Sequence, residues 1–494
     1  MIDRQATGRP PFHRVVPGWS ILCAAALILA YWSTVASTPA FDWNATRIYP
    51  AFLLAGGVSP YATATSGPVT GWIYGPVMPL FYLPATLAPT LTSAVLVSGV
   101  INLLVLAGPM VLIVNDASRR AGLARRERGA ILLGLLGLLP ALPVLRSYLI
   151  WIHCDQVAIG LTLLSCWFLA RFRCESSELN LGVAAVLAAL AVWTKQIAVM
   201  LPLTQLLYLG GLRRDFRLFW RYLLWLLGAG AGTSAVAVLI FGTGPLVFCL
   251  WVVPGGHRLM GWAVFLRYAW VFVSHAGPCL ALTLLLARFA RKAPAQPAHD
   301  FQKDLLGLLL VTATGEIPMN LLAACKEGSN TNSFHALPLF FLAVFVALVA
   351  AAGWWRPRIP PARAAIAAGV VALAGATLLL TDSAFRLTPA TRLEQARAIA
   401  ERHLGHVYFP QNPLIVWWTE RKPQPLELGL VDLSLAGFPI TRVRYFESLP
   451  QDLQMVVYRN GQAGMAVQIF PGFKRREAPG VFDLYAGPTL APAN

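Results

Sequence analysis

The sequence predicts an α-helical polytopic membrane protein with about eleven transmembrane helices, followed by a small C-terminal extracytoplasmic α/β domain. Hydrophobic residues make up 57% of the 494 residues and charged residues only 12%, about half of the charged share of a typical soluble domain. Apolar runs of about 20 residues, each long enough to cross a bilayer, recur along most of the chain. Arginines concentrate in alternate segments between these runs, as membrane topology requires.

The uneven charge also decides which partners to expect. The formal net charge is +17, and many of the arginines fall in segments 119–128 and 213–221. The opposite side of the membrane part holds six basic residues: Arg47, Arg146, Lys195, Arg258, Arg267 and Lys326. Cytoplasmic loops carry such an excess of Lys and Arg. The charge therefore reports topology, and no nucleic-acid partner is predicted.

Spans are predicted at about residues 19–36, 92–114, 130–149, 156–172, 181–194, 197–210, 222–241, 272–289, 305–324, 335–353 and 364–380. The apolar segment from Gly75 to Pro89 contains four prolines, which favour a short interfacial helix over a regular span. The stretch from Leu181 to Gly210 is too long for one upright span. Arginines at both ends favour two short passes that meet at Lys195, a lysine that should face protein or a water-filled cavity.

This map gives two domains and an orientation. Residues 1–380 form the membrane domain, with a first outer loop at 37–91, and residues 381–494 form a soluble α/β domain outside the cytoplasm. The tail contains a helix-like segment at 391–404 and strand-like segments at 455–458 and 466–470. We expect a multi-pass protein of the cell inner (cytoplasmic) membrane, with a cytoplasmic N-terminus.

Carboxylates are scarce on the outer side, so a reaction that needs a carboxylate base there has few candidates. The membrane domain offers four on that side: Asp42, Asp155, Glu316 and Glu327. Glu316 lies inside a predicted span, where ionisable groups are costly and usually functional or paired. The seven cysteines contain no Cys-x-x-Cys pair, which argues against a zinc site. A disulfide between Cys154 and Cys325 is compatible with the sequence.

Four motifs follow one another on the outer face. The first loop has Asp42, then Gly-x-x-Pro-Tyr ending at Tyr61, then Tyr74-Gly-Pro76 before the interfacial helix. This order resembles the GT-C superfamily of membrane glycosyltransferases, and the loop is most similar to that of the polyprenol-phosphate-mannose-dependent α-mannosyltransferases. The likeness covers about residues 19–380 and extends to the protein O-mannosyltransferase and aminoarabinose-transferase group.

The three later motifs carry the same resemblance. His153-Cys-Asp155 resembles the His-Pro-Asp at the start of a later span in related enzymes. Thr194-Lys195-Gln196 resembles the Leu-Thr-Lys-Gly turn of aminoarabinose transferases. Asn332-Ser-Phe-His335-Ala-Leu-Pro338 is similar to the Arg-Tyr-x-x-x-Pro element, with His335 in place of the basic–aromatic pair.

The resemblance implies an inverting transfer of one sugar from a polyprenyl-phosphate donor to a hydroxyl of a glycan, glycolipid or protein, at the lipid bilayer. Asp42 would be the general base, and Lys195 and Lys326 would bind the donor phosphate. The remaining candidates are assigned by group: His153, Asp155, Glu316 and His335 to the donor, the acceptor or a divalent metal ion, and Tyr61, Tyr74 and Pro76 to the loop and interfacial helix. No cofactor is certain, because some members of the superfamily use a metal and others do not.

Each candidate has a structural alternative. Asp42 could be a solvated loop residue, and His153 and Asp155 could cap the following span. Lys195 could be a snorkelling side chain, and Lys326 with Glu327 an exposed ion pair. Glu316 could hydrogen-bond a neighbouring helix, and His335 could be structural. Two other function classes also stay open, a transporter or flippase of lipid-linked sugars and a non-catalytic envelope assembly protein; a transporter should show an internal repeat, and the sequence has none that we find.

Overall fold

The protein is described here by a computed structural model, which covers residues 12–37, 42–291, 300–329, 342–344, 346, 360–386, 391–459, 473–476 and 482–487. Most of these residues are helical. The α-helices up to residue 386 are Phe12–Ser37, Asp42–Ala55, Val77–Tyr82, Leu91–Arg120, Arg125–Ala141, Pro143–Ile150, Cys154–Glu175, Glu178–Val192, Met200–Leu206, Phe216–Phe241, Thr243–Val247, Val253–Gly256, Trp262–Arg291, Asp300–Ala324 and Pro361–Arg386. Short 3₁₀ segments at Leu83–Leu87 and Gln196–Val199, and π turns at Leu207–Leu212 and Phe248–Val252, extend some of them.

Within the described residues, six helices are long and apolar enough to cross a membrane: Gly18–Ser37, Leu91–Arg120, Cys154–Glu175, Phe216–Phe241, Phe301–Ala324 and Pro361–Asp382. Shorter apolar helices lie at Val77–Leu87, Glu178–Val192, Gln196–Leu212, Thr243–Gly256 and Trp262–Ser274. The protein is therefore a polytopic membrane protein. The count of eleven spans stays a prediction, and most of the predicted span at 335–353 lies outside the described residues.

Two of the predicted segments contain breaks. The predicted span at 130–149 is two helices that separate at Leu142, because Pro143 opens the second helix and proline cannot donate to the preceding turn. The stretch 181–210 breaks at Trp193–Lys195, between Glu178–Val192 and the 3₁₀ turn that begins at Gln196. The prolines after Gly75 give a six-residue helix and a 3₁₀ turn, as the interfacial interpretation expects.

The Cys154–Glu175 helix lies at the centre of the membrane part. It packs against Leu91–Arg120, Glu178–Val192 and Asp300–Ala324, and 67% of its most apolar window is buried, against 6% for Phe216–Phe241. A helix that is apolar all round and buried by other helices belongs to the protein core, whereas an apolar exposed one faces lipid. The residues that open the central helix are therefore held at the middle of the bundle.

The last apolar helix is held by small residues. Pro361–Arg386 packs against Phe12–Ser37 and Arg125–Ala141. A Cβ atom on Gly137 would lie 2.5 Å from the Cα of Ala372, so a glycine is needed at this crossing. Small residues allow such close approach between helices in a membrane. This helix ends at Arg386, a few residues beyond the predicted domain boundary at 380.

The tail is a small α/β unit. Its helices are Thr391–Arg402, Leu414–Glu420, Glu427–Leu435 and Arg442–Glu447, and its strands are Val407–Tyr408, Met455–Arg459, Lys474–Arg476 and Phe482–Ala486. The second strand pairs parallel with the first and antiparallel with the fourth, which pairs antiparallel with the third. The predicted helix at 391–404 and strand at 455–458 are present, and the predicted strand at 466–470 lies outside the described residues.

The tail packs on the predicted first outer loop through the Asp42–Ala55 helix. Tyr49 accepts a hydrogen bond from the Gln424 backbone N–H at 2.9 Å and donates to the Gln424 carbonyl at 3.2 Å. The rings of Phe52 and Trp418 lie 5.9 Å apart. The apolar core is thus continuous from the membrane part into the tail.

Candidate functional site

Asp42 is the first residue of the 14-residue helix in the predicted first outer loop. The next turn is fixed to the segment before the central helix. The Asn44 side chain donates to the Ile150 carbonyl at 3.0 Å and accepts from the Ile152 N–H at 2.8 Å. Asn44 is fully buried and both ends of its amide are bonded, so the start of this helix is held beside residues 150–153.

His153 lies in an aromatic enclosure next to that helix. Its ring stacks on Tyr148 with centroids 5.5 Å apart and lies 5.3 Å from the ring of Trp43. The His153 backbone N–H donates to the Gln156 side chain at 3.0 Å, which completes the N-terminal turn of the central helix. The structure thus places the His153 ring beside Trp43, the residue that follows Asp42.

Asp155 and Lys195 form a buried ion pair. The Asp155 side chain is 4% exposed and that of Lys195 10%, and burying either charge alone would be strongly unfavourable. The side chain that bonds the start of the central helix is Gln156. The Asp155 carboxylate pairs with Lys195 instead. The structure therefore joins two residues that the sequence suggested for separate roles, and it gives Lys195 a protein partner in place of a lipid-facing snorkelling position.

The turn that carries Lys195 is bonded to the Tyr74-Gly-Pro76 element. The Gly75 N–H donates to the Thr194 carbonyl at 3.2 Å, and the Gln196 side chain donates to the Ile73 carbonyl at 2.9 Å. A Cβ atom on Gly75 would lie 1.6 Å from the Trp193 carbonyl oxygen. Only glycine permits this approach, so the motif's glycine has a direct structural reason.

The predicted loop residues line the same region. Tyr61 is buried, and its hydroxyl donates to the Tyr74 carbonyl at 2.7 Å. Pro76 precedes the short Val77–Tyr82 helix at its N-cap position. Burial raises the pKa of the Tyr74 phenol, and the charges close enough to act on it include Arg47, Asp432 and Lys195. Tyr74 thus marks the point at which the first loop, the Lys195 turn and the tail meet.

Arg47 is a site residue that the sequence reasoning did not single out. It is 6% exposed, and its guanidinium lies 4.1 Å from the Trp43 ring centre and 5.2 Å from that of Tyr74. Its Nε has no hydrogen-bond partner in the described part of the chain. A buried, incompletely bonded guanidinium beside aromatic rings is suited to an anionic or hydroxyl-rich ligand. The sequence contained one signal for Arg47. It is one of the six basic residues predicted on the outer side, and it lies five positions after Asp42.

Three predicted residues remain to be placed. Glu316 is 4% exposed and accepts a hydrogen bond from the Asn320 amide at 3.0 Å. Asn320 belongs to the same helix, whereas the structural alternative considered a bond to a neighbouring helix. Lys326 donates to the Pro254 carbonyl at 2.6 Å, and burial lowers its pKa. His335 lies outside the described residues.

The described residues bear on the possible metal site and on the possible disulfide. In the described ranges, no three His, Cys, Asp or Glu residues are grouped so that they could hold a metal ion. Cys154 and Cys325 are free thiols, so the disulfide left open by the sequence is not formed. The site is instead a buried region in which Arg47 and the Asp155–Lys195 pair lie next to aromatic side chains.

Two crystal structures of one protein share this fold. ArnT from Cupriavidus metallidurans bound to undecaprenyl phosphate matches with a TM-score of 0.58 at 13% sequence identity, over 97% of this chain and 99% of that chain. Its apo structure matches with a TM-score of 0.58 at 12% identity, over 96% and 98%. The cryo-EM structure of the arabinosyltransferase EmbB from Mycobacterium smegmatis matches with a TM-score of 0.41 at 14% identity, over 97% and 46%.

The sequence itself gives no such match: no family model and no curated protein matches it. At 12–13% identity the ArnT structures show a common fold along nearly the whole of both chains. This likeness concerns the fold alone.

Proposed function

We propose that this protein transfers a sugar from a polyprenyl-phosphate-linked donor to a hydroxyl of a glycan, glycolipid or protein, on the outer face of the inner membrane. The observation that carries the proposal is the joining of the Tyr74-Gly-Pro76 element to the Lys195 turn, next to the helix that begins at Asp42. The fold shared with ArnT, whose structure contains undecaprenyl phosphate, supports a lipid phosphate as the carrier.

Asp42 is the general base in this proposal. The acceptor hydroxyl gives its proton to the Asp42 carboxylate while its oxygen forms a bond to the anomeric carbon of the donor sugar. The bond between that carbon and the phosphate oxygen breaks, the electron pair leaves with the lipid phosphate, and the configuration inverts. Asp42 begins a helix whose first turn is fixed by the Asn44 hydrogen bonds. This supports a fixed position for the base relative to a bound acceptor.

The developing charge on the phosphate needs cations in a site with little water. Arg47 is suited to this task because it is buried and its Nε is unbonded among the described residues. Lys195 contributes a charge that Asp155 holds in position, and Lys326 adds another. Asp155 is thus a positioning residue, since it acts through Lys195.

The finer assignments rest on the sequence. The similarity of the first loop to polyprenol-phosphate-mannose-dependent enzymes favours mannose as the transferred sugar, and the arginine asymmetry favours a cytoplasmic N-terminus with the tail outside. His153, in its aromatic enclosure, would contact the donor or acceptor.

The decisive experiment compares wild-type protein with the Asp42→Asn variant. Transfer of labelled sugar from polyprenyl-phosphate mannose is measured alongside binding of undecaprenyl phosphate. Removing a general base costs about 10²–10⁴-fold in rate, whereas lipid binding should persist because the phosphate contacts lie with the cations. Asp452→Asn, the same change at an exposed tail carboxylate, is the matched control and should transfer normally.

The outcomes separate the function classes. Equal transfer by wild-type and Asp42→Asn protein would remove Asp42 from the mechanism. Wild-type protein that binds the lipid but shows no transfer to any acceptor in membrane extracts would instead favour a transporter or an assembly protein.

A further inference from the structure

A helix of the tail, Glu427–Leu435, is seated directly on loops of the membrane part. One close contact joins Gly71 of the first loop to Gly429. A Cβ atom on Gly71 would lie 2.4 Å from the Cα of Gly429, and one on Gly429 would lie 2.5 Å from the Cα of Gly71. Since neither position tolerates a side chain, the two backbones lock the helix to the loop.

A second segment of the membrane part, at Gly256 and His257, holds the same helix. A Cβ atom on Gly256 would lie 2.6 Å from the carbonyl oxygen of Ala436, just past the helix end. The neighbouring His257 ring nitrogen Nε2 hydrogen-bonds the Asp432 carbonyl oxygen at 2.9 Å. The orientation of the helix relative to the outer loops is therefore fixed from both sides, and so is the direction of its side chains.

Asp432 lies three residues after Gly429, on the part of the helix next to the candidate site. Burial raises the pKa of its carboxyl group to about 6, while the positive charges of Arg47 and His257 act in the opposite direction. Asp432 and Arg47 both act on the Tyr74 phenol as well. Leu433, the next residue of the tail helix, lies in one apolar cluster with Ile73 against which Tyr74 packs, and the Arg47 guanidinium lies 5.2 Å from the Tyr74 ring centre. The Asp432 turn of the tail helix and Arg47 therefore both lie beside Tyr74.

The two charges do not neutralise each other by contact. In the described part of the chain, Arg47 makes no ion pair, and its buried Nε lacks a hydrogen-bond partner. A carboxylate that accepts, a guanidinium that donates, and the nearby rings of Trp72 and Tyr74, with centroids 5.2 Å apart, make a combination suited to a sugar. Sugar hydroxyls both donate and accept, charge-assisted hydrogen bonds are the stronger kind, and aromatic faces cover the apolar side of the ring.

We propose that the tail helix completes the substrate site, with Asp432 as a sugar-binding residue that accepts hydrogen bonds from hydroxyls of a sugar held between it and Arg47. This inference rests on the proposed glycosyl transfer. The sugar can belong to the donor or to the acceptor, since the same hydroxyl chemistry serves both. The tail is then a part of the binding site as well as a domain packed above it.

The test uses the full-length protein in lipid nanodiscs and the variant Asp432→Asn, which keeps the size of the side chain and removes its charge. Affinities are measured for undecaprenyl phosphate, which has no sugar, and for polyprenyl-phosphate mannose and arabinose; KM for the acceptor is measured in the transfer assay. Losing a hydrogen bond to a charged group should weaken sugar binding about 10–100-fold. Asp452→Asn, on the exposed part of the tail, is the control.

If Asp432 binds the donor sugar, the variant loses affinity for the sugar-bearing lipids and keeps that for undecaprenyl phosphate. If it binds the acceptor sugar, both lipid affinities stay and the acceptor KM rises. Wild-type values in all three measurements, or an equal loss of affinity for undecaprenyl phosphate, would overturn the inference while leaving the proposed function in place. Wild-type protein that binds none of the lipids would overturn the proposed function itself.

Discussion

The Asp155–Lys195 ion pair allows the structural and chemical roles of one site residue to be separated. Replacing Lys195 by Met removes the ammonium and keeps an unbranched side chain of similar length. The Asp155 side chain, 4% exposed, would then be a buried carboxylate without its cation. Glu316, also 4% exposed, interacts electrostatically with Lys195 and would lose this favourable interaction as well.

The size of the effect follows from this burial. Breaking a buried pair by removing one partner costs about 3–5 kcal/mol, whereas replacing both partners by groups of similar volume is often neutral. We therefore expect Lys195→Met to unfold about 3–5 kcal/mol more easily than wild type. The double variant Asp155→Asn/Lys195→Met should recover most of that loss. Arg397→Met, which breaks a pair with Glu394 at 3.0 Å in which the two side chains are 38% and 41% exposed, should cost no more than about 1 kcal/mol.

The assay combines unfolding in detergent with transfer of labelled sugar for the four members of the cycle. Stability should return in the double variant, but transfer should not, because no cation replaces Lys195 beside the leaving phosphate. The difference between the double variant and the sum of the singles measures the coupling between the two residues.

Two results would refute this reasoning. A Lys195→Met variant as stable as wild type would mean that the buried pair contributes nothing to folding. Wild-type transfer by the folded double variant would make both residues purely structural and leave the phosphate to Arg47 and Lys326.

Two further predictions concern the loop and the tail. Gly75→Ala should destabilise the protein by about 1–3 kcal/mol or more and reduce transfer, since the new Cβ would lie 1.6 Å from the Trp193 carbonyl oxygen. The control is Gly108→Ala, where the new Cβ would have no atom within 4 Å. This control should be neutral in the same thermal and transfer assays. Burial raises the pKa of Glu427 to about 7 from 4.5, so the folded protein keeps a proton that the unfolded chain releases and stability falls as pH rises through this window. Glu427→Gln should therefore melt above wild type at pH 8 and together with it at pH 4, and a difference of the same size at both pH values would contradict the assignment.

The membrane architecture was predictable because it follows from composition. Apolar length predicts where helices lie, and the predicted span at 156–172 is the helix Cys154–Glu175. Its position at the centre of the bundle was not predicted. Hydropathy does not record helix breaks, so the predicted span at 130–149 missed the separation at Leu142. Where prolines or a lone lysine were weighed explicitly, at Gly75–Pro89 and Lys195, the predicted break is present.

The site was predictable as a list of residues and not as an arrangement. Asp155 and Lys195 are 40 positions apart and belong to different helical segments, so their pairing depends on packing that no local pattern contains. Arg47 in the sequence is one arginine of a polar loop. Its burial comes from Trp43 and Tyr74, the second of which is brought near by the backbone contacts of Gly75.

The helix that begins at Asp42 connects the site to the tail. Asp42 and Arg47 lie in its first half, while Tyr49 and Phe52 in its second half pack against the tail at Gln424 and Trp418. A rotation or shift of this helix would move the proposed base and the buried guanidinium together. The same tail unit fixes the outer side of the site through the Glu427–Leu435 helix. The tail therefore holds the site from two directions, and its loss would misplace the base even if every membrane helix remained intact.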